Sequence, residues 1–353
     1  MNTKLVCFVN GVYSTNIGGG DIYFTNLVKD IPIHVYGGHA TKMLLDRYNI
    51  NYTIALTDRE IVKIDSNLGL FFNHFWRYIS TCMHTIQCDT AYAMSDYWFD
   101  VLPLLRCKAR KKILYLGMIA PFRLSPAGLH YWISQRLMLR KFKGKGLVTY
   151  SHPDMLEYLK GLGYKEENLH YIPNSFDTET CDSVPTQERI YDVVWIGRIH
   201  PQKGIEDLVE IIKLLDINLI RLKVLLIGKD GPRIKKMLPS YIDIKAPGIV
   251  SETEKFRLLK SSRVFIFPSH YESFGISVGE ALMAGCRVVA YDLDCYSVFE
   301  EYPVYVKSFK IMEFISKTMK QLEYSRIWRL DTSSNLTKKL SWINTRKKFK
   351  ALL

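Results

Sequence analysis

Short apolar runs alternate with longer amphipathic segments along the whole chain. In the first half the runs are Leu5–Val9, Ile33–Tyr36, Thr53–Leu56, Thr90–Met94, Ile113–Leu116, Leu147–Tyr150 and Leu169–Ile172. In the second half they are Val193–Ile196, Val224–Ile227, Ile242–Ala246, Val264–Phe267, Val288–Tyr291 and Val304–Val306. Many are continuous Val- and Ile-rich stretches rather than alternating ones, the pattern of strands buried on both faces of a parallel sheet. Helical segments such as Ile22–Lys29, Pro153–Lys160, Ile205–Leu214 and Glu252–Lys260 fall between them. Repeated β-α units predict doubly wound α/β sheets. The polar stretch Asn174–Arg189 holds few apolar residues and reads as a linker. The expected architecture is therefore two Rossmann-like domains, each with its own sheet, facing a central cleft.

Length supports that division, because 353 residues exceed one ordinary core. An apolar content of 48% excludes a disordered chain. No apolar run approaches a membrane span, and MNTKLVCFVNG lacks the features of a signal peptide, so a cytoplasmic protein is expected. The seven cysteines are scattered without a CxxC pair, and Cys82, His84 and Cys88 fit no zinc spacing; reduced thiols and no metal are expected. The formal net charge of +13 calls for an anionic partner: nucleic acid, a lipid surface or a phosphorylated ligand.

Candidate chemistry sits where predicted strands end. After the first strand, Gly18, Gly19 and Gly20 precede a helix expected to start near Asp21 as N-cap, without the GxGxxG spacing of a dinucleotide site. In VVWIGRIHPQKGIEDLVEII, Arg198 and Lys203 lie just past a buried strand, where an arginine can grip two phosphate oxygens and a lysine supplies a mobile charge. KVLLIGKDG repeats the strand-to-glycine turn at Gly228. The loop at Gly248 and Ile249 precedes a capping box of Ser251 and Glu254 and is positioned to take a nucleotide base.

The stretch SHYESFGISVGEALMAGC holds two carboxylates eight residues apart, Glu272 and Glu280. Gly275 permits close backbone approach, and a helix is expected from about Ser277. Amides of Gly275, Ile276 and Ser277 at that helix start favour a phosphate. A carboxylate accepts two hydroxyls of a vicinal diol, which assigns Glu280 to a ribose and Glu272 to a second sugar. One ligand meets all these features: a nucleoside diphosphate joined to a sugar.

With GGG at Gly18–Gly20, PNSFD at Pro173–Asp177, GRIHPQKG at Gly197–Gly204, the Gly248 loop and ESFGISVGEALMAG at Glu272–Gly285, the chain resembles the retaining GT-B glycosyltransferases of the family 4 type, glycosyl transferases group 1. The resemblance implies an N-terminal acceptor-side domain over residues 1–175, a nucleotide-sugar-binding domain over 176–330 and a terminal helix over 331–353 crossing back to the first. It implies that Arg198 and Lys203 neutralise the donor diphosphate and that Glu272 orients the donor sugar. Ser273, Phe274, Gly275 and Ile276 line the sugar through their backbone, Glu280 holds the ribose, and Gly18–Gly20 approach the sugar and phosphates. The donor is expected to be a UDP- or GDP-linked sugar, used without a cofactor or metal, and the acceptor a glycan or lipid-linked hydroxyl. The sequence departs from the family at Gly117, where a histidine is common; His39, His152 and Tyr115 are candidate substitutes. Asp292 and Asp294 form a D-x-D that reads as an acidic turn.

Cations in RCKARKK at Arg106–Lys112 and in QRLMLRKFKGKG at Gln135–Gly146, with Tyr131, Trp132 and Ile133 alongside, allow peripheral contact with an anionic membrane. In the basic segment Lys338–Leu353 the buried side is expected to be Trp342, Ile343, Phe349 and Leu353. Two other readings share the motifs: a GT-B transferase that glucosylates DNA, and a nucleotide-binding protein without turnover. Nucleic acid is not the expected partner.

Overall fold

A computed structural model describes residues 5–12, 18–58, 67–219, 221–299, 302–327 and 339–353. The chain forms two compact units, Met1–Asn174 with Ile343–Leu353, and Ser175–Trp342. The expected boundary at 330/331 lies outside the described residues.

The first unit holds seven strands: β1 (Leu5–Val9), β2 (Ile33–Gly37), β3 (Tyr52–Leu56), β4 (Gln87–Ala93), β5 (Lys108–Leu116), β6 (Leu147–Tyr150) and β7 (Leu169–Tyr171). They pair in the order β3-β2-β1-β4-β5-β6-β7, all parallel. Its helices are α1 (Gly19–Val28), α2 (His39–Arg47), α3 (Asn67–Cys82), α4 (Trp98–Arg106), α5 (Pro126–Phe142) and α6 (Met155–Gly161). Every residue of β1 is buried, which explains why its sequence is apolar without alternation.

The second unit holds β8 (Tyr191–Ile196), β9 (Lys223–Ile227), β10 (Asp243–Gly248), β11 (Ser262–Phe267), β12 (Arg287–Tyr291) and β13 (Val304–Val306), in the order β10-β9-β8-β11-β12-β13. Its helices are α7 (Thr178–Ser183), α8 (Ile205–Asn218), α9 (Gly231–Lys235), α10 (Glu252–Lys260), α11 (Ile276–Met283) and α12 (Ile311–Ile327). The last helix, α13 (Trp342–Lys350), runs into the C-terminal part of the first unit. Each sheet reverses its strand order once, between β1 and β4 and between β8 and β11. Ligands of doubly wound sheets bind outside the strand carboxyl ends at such reversals.

Four expectations need correction. The polar stretch at 174–189 is no free linker: Phe176 and Cys181 are buried in the second unit's core. Asp177 caps α7 by accepting from Thr180 N at 3.0 Å, and Lys260 Nζ donates to Cys181 O at 2.7 Å. Its polar residues serve as caps, so hydrophobic content alone misjudges it. Second, α1 starts at Gly19 with Gly18 as N-cap; Asp21 sits one turn inside and accepts from Gly18 N at 2.8 Å. Third, α11 starts at Ile276. Fourth, Trp342 and Phe349 are buried, but Ile343 is half exposed and Leu353 partly so; Lys338 lies outside the described residues.

All seven cysteines are free. Among the described residues no helix is long and apolar enough to cross a membrane, and no cluster of His, Cys, Asp or Glu is arranged for a metal ion.

Candidate donor site

The strand-order reversal of the second unit gathers most of the predicted residues. Arg198 follows β8, and Glu272 and Gly275 follow its neighbour β11. Between β8 and α8 the chain makes a short 3-10 turn over Pro201–Lys203 that ends at Gly204 with φ 59°. A Cβ there would lie 1.9 Å from Pro268 O, so only glycine lets the two loops approach this closely. The approach is stitched by Gln202 O, which accepts from His270 N at 2.7 Å and lies 2.8 Å from Ser269 Oγ.

That stitching delivers Lys203 to Glu272. Lys203 Nζ lies 2.5 Å from Glu272 Oε1, with both side chains largely buried. Ser269 Oγ lies 2.7 Å from the same oxygen, and the Phe267 ring centroid is 5.0 Å from the ammonium. One oxygen of Glu272 is thus held, which fixes the carboxylate plane. Arg198 is exposed and makes no ion pair among the described residues. Its loop is anchored from the turn between β9 and α9, where Asp230 Oδ2 accepts from Ile199 N at 2.8 Å.

Gly275 caps α11 in the left-handed region, φ 81° and ψ 51°. A Cβ there would meet Tyr296 Cε1 at 2.5 Å. The turn leaves the first amides of α11 at an open helix end, which carries partial positive charge. Phe274 is buried, so its contribution to a ligand is its backbone alone; Ser273, Ile276 and Ser277 are partly exposed.

Glu280 stands one turn into α11 and is 7% exposed. Lys255 Nζ of α10 lies 2.7 Å from its Oε1 and 2.6 Å from Glu252 Oε2. Burial raises the Glu280 pKa above the usual carboxylate value, and Lys255 opposes that rise only in part. Burial also works against the Lys255 ammonium, but the carboxylates of Glu280 and Glu252 outweigh it, so Lys255 stays protonated. The sequence reading did not single out Lys255. Its signal was present: it falls in register with the buried Leu258 and Leu259, where an amphipathic period points inward.

Ile249 follows the left-handed Gly248 at the end of β10, the edge strand, and is 63% exposed. Gly18, Gly19 and Gly20 belong to the other unit, beside its own strand-order reversal. Asp21 already occupies the Gly18 amide, which removes that donor from any ligand. Of the substitutes for the histidine absent at Gly117, Tyr115 is buried and stacked on Tyr23 at 4.4 Å, and His152 is buried. His39 is partly exposed and bonded to Asp58 at 2.7 Å. His270 stacks on Phe309 at 4.6 Å and reaches Asp207 at 3.5 Å, the environment of a packed loop histidine. Asp292 and Asp294 are exposed in a turn after β12.

Residues 179–302 match the family model of glycosyl transferases group 1. That segment contains Arg198, Lys203, Ile249, Glu272 and Glu280. The alpha-galactosylglucosyldiacylglycerol synthase of Streptococcus pneumoniae is 25% identical over 173 residues, 42% of this chain and 45% of that protein. The poly(glycerol-phosphate) alpha-glucosyltransferase of Bacillus subtilis is 28% identical over 157 residues, 42% of this chain and 22% of that protein. The match therefore spans less than half the length of either relative. Among solved structures, Anabaena HepE in complex with UDP and glucose superposes with a TM-score of 0.72 at 15% identity, over 99% of both chains. Sucrose-phosphate synthase from Thermosynechococcus elongatus gives 0.74 at 13%, over 99% of this chain and 98% of that one. These likenesses establish the fold: two parallel-sheet Rossmann-like domains of the GT-B class.

Proposed function

We propose that the protein is a retaining glycosyltransferase of the family 4 type. It moves a sugar from a nucleoside-diphosphate sugar to a hydroxyl of a glycan or lipid-linked acceptor. The observation that carries this reading is the Lys203–Glu272 pair beside the open end of α11, at the strand-order reversal of the second unit. A cation, a fixed carboxylate and a helix N-terminus within one loop cluster suit a sugar joined to a diphosphate. The group 1 match over the same residues supports it.

Each residue then has a task. Arg198 and Lys203 take the diphosphate, with the first amides of α11 completing the anion site. To do so Lys203 exchanges Glu272 for phosphate, which frees a carboxylate oxygen for the donor sugar hydroxyls. Glu280 accepts the ribose hydroxyls, and Ile249 lies along the base. As the glycosidic bond breaks, negative charge grows on the departing diphosphate. Fixed cations and a helix dipole stabilise that charge without reorganisation. This is the work a divalent metal performs in other transferases, so turnover is proposed to need no metal.

Retention is supported by the names of both curated relatives, which specify alpha products. That is the outcome when an α-configured nucleotide sugar reacts on one face. UDP-glucose is the first donor to try, because a structural neighbour holds UDP and glucose. The relatives' names point to diacylglycerol glycolipids and poly(glycerol phosphate) as acceptor classes. The test is a panel of UDP-, GDP- and ADP-sugars with EDTA present, read by thermal shift and sugar release. One donor should stabilise the protein and release sugar slowly, and Glu280→Gln should weaken both. Silence across the panel would overturn the reading.

A further inference from the structure

Three strand ends of the first unit meet in one buried polar cluster. Arg77 of α3 ties the segments after β1 and β3: its Nη1 donates to Asn10 O at 2.9 Å and to Val12 O at 2.5 Å, and its Nη2 to Asp58 Oδ2 at 2.7 Å. Thr57 brings in β2, donating from its amide to Gly37 O at 3.0 Å and from Oγ1 to Asn10 Oδ1 at 3.0 Å. The Arg77 and Asp58 side chains are only 2% and 3% exposed. Both pack on the bare backbone of Gly38, where a Cβ would lie 2.1 Å from Asp58 Oδ2 and 2.6 Å from Arg77 Cζ. A buried ion pair adds little stability over an apolar substitute, so its use lies in what it holds.

What it holds is His39, the first residue of α2. His39 Nδ1 lies 2.7 Å from Asp58 Oδ1, and the His39 amide donates to the same oxygen at 2.9 Å. An ionised carboxylate only accepts, so Nδ1 carries the proton and Nε2 of the neutral ring is left bare. The imidazole is 32% exposed, and Nε2 has no partner among the described residues. Ring plane and tautomer are thus set from behind, by two buried side chains, for one outward nitrogen.

The chemistry of that nitrogen selects its ligand. The Asp58 charge is already met by Arg77, so the cluster offers an anion no unpaired cation. A bare imidazole nitrogen accepts one hydrogen bond, which a neutral O–H supplies. The nitrogen also stands beyond the carboxyl ends of β2 and β3, where doubly wound sheets take ligands. We infer that His39 Nε2 receives the hydroxyl of the sugar acceptor, with Asp58 and Arg77 as the residues that position it. The inference rests on the proposed function, which calls for a hydroxyl acceptor. It gives His39 to the acceptor and not to the donor-sugar contact missing at Gly117.

Transfer to glycerol, a small neutral polyol, tests it. The full chain receives UDP-glucose, or whichever donor the nucleotide panel selects, with glycerol raised toward molar concentration. Sugar joined to glycerol is then counted against free sugar. His39→Asn keeps an amide donor for Asp58 and lacks the outward nitrogen. It should lower that ratio at least about tenfold while UDP affinity changes less than about twofold. Nitrogen NMR of the free protein, with the His39 signals identified by their absence in His39→Asn, should show the ring proton on Nδ1. A neutral ring with its proton on Nε2 would overturn the inference. So would a wild type that releases sugar and never transfers it to glycerol, an unchanged ratio in His39→Asn, or UDP affinity lost together with transfer, the mark of a structural role. A wild type that binds no nucleotide is instead a failure of the donor-site reading, and removes this inference with it.

Discussion

Lys255 Nζ lies 2.7 Å from Glu280 Oε1, with the two side chains 12% and 10% exposed. The carboxylate proposed to take the donor ribose is thus charge-balanced from behind by a lysine of another helix. A buried pair adds little net stability when intact, but removing one partner strands a charge, at a cost of about 3–5 kcal/mol. Here Glu252 shares the ammonium, and neither group is wholly dry. Lys255→Met should therefore destabilise the protein by about 3 kcal/mol in urea unfolding. Lys255→Met with Glu280→Gln should recover more than half of that loss. A single variant as stable as the wild type would show that the pair is not a coupled unit.

The Lys203–Glu272 pair predicts a split in kinetics. Glu272→Gln removes a partner of the sugar but none of the diphosphate. It should lower kcat by about a hundredfold or more while UDP affinity changes less than about threefold. Lys203→Gln removes a charge from the phosphates and should weaken UDP by about tenfold to a hundredfold. Steady-state kinetics with UDP as inhibitor separates the two. Equal effects of both variants on UDP would contradict the assignment.

At Gly275, φ of 81° and a Cβ 2.5 Å from the Tyr296 ring oppose any side chain. Gly275→Ala should lower stability by about 2 kcal/mol from backbone strain and the displaced ring. It should also weaken donor binding, because the amides of α11 shift with the cap. Chemical denaturation and UDP titration read the two effects.

Asp96, beyond β4 in the first unit, is buried, and burial pushes its pKa up to about 7; the Gln135 amide that donates to it offsets this only partly. Its folded pKa lies above the unfolded value, so the folded state binds the proton more tightly. The associated stability is complete near pH 4 and is lost as pH rises to about 7. Asp96→Asn keeps an acceptor for Gln135 and removes the charge. It should be more stable than wild type by about 2 kcal/mol at pH 8 and no more stable near pH 4. A pH-independent difference would contradict this sign.

Most central strands of both sheets were legible because strands buried on both faces are written as continuous apolar runs, whereas the edge strands β3 and β10 are only partly buried. Arg198, Lys203, Glu272 and Glu280 were legible as candidates because polar residues directly after such runs have little reason to be there except at a loop or a site. Phe176 was not, because one buried aromatic in a polar stretch carries no period. Lys255 was missed for a different reason: a buried lysine in an amphipathic helix looks like a solvated one until its carboxylate partner, 25 residues away, is brought beside it. Nor does a glycine in sequence disclose its φ, so Gly18 and Gly275 as helix caps shifted both helix starts.

The central claim is that the loops after β8 and β11 form a nucleotide-diphosphate site. Isothermal titration of UDP into the wild type and into Lys203→Gln, both with EDTA, tests it most directly. The account predicts saturable binding at one site in the wild type, weakened at least about tenfold in the variant. Absence of UDP binding, with GDP and ADP equally silent, or equal affinity in the two proteins, would contradict it.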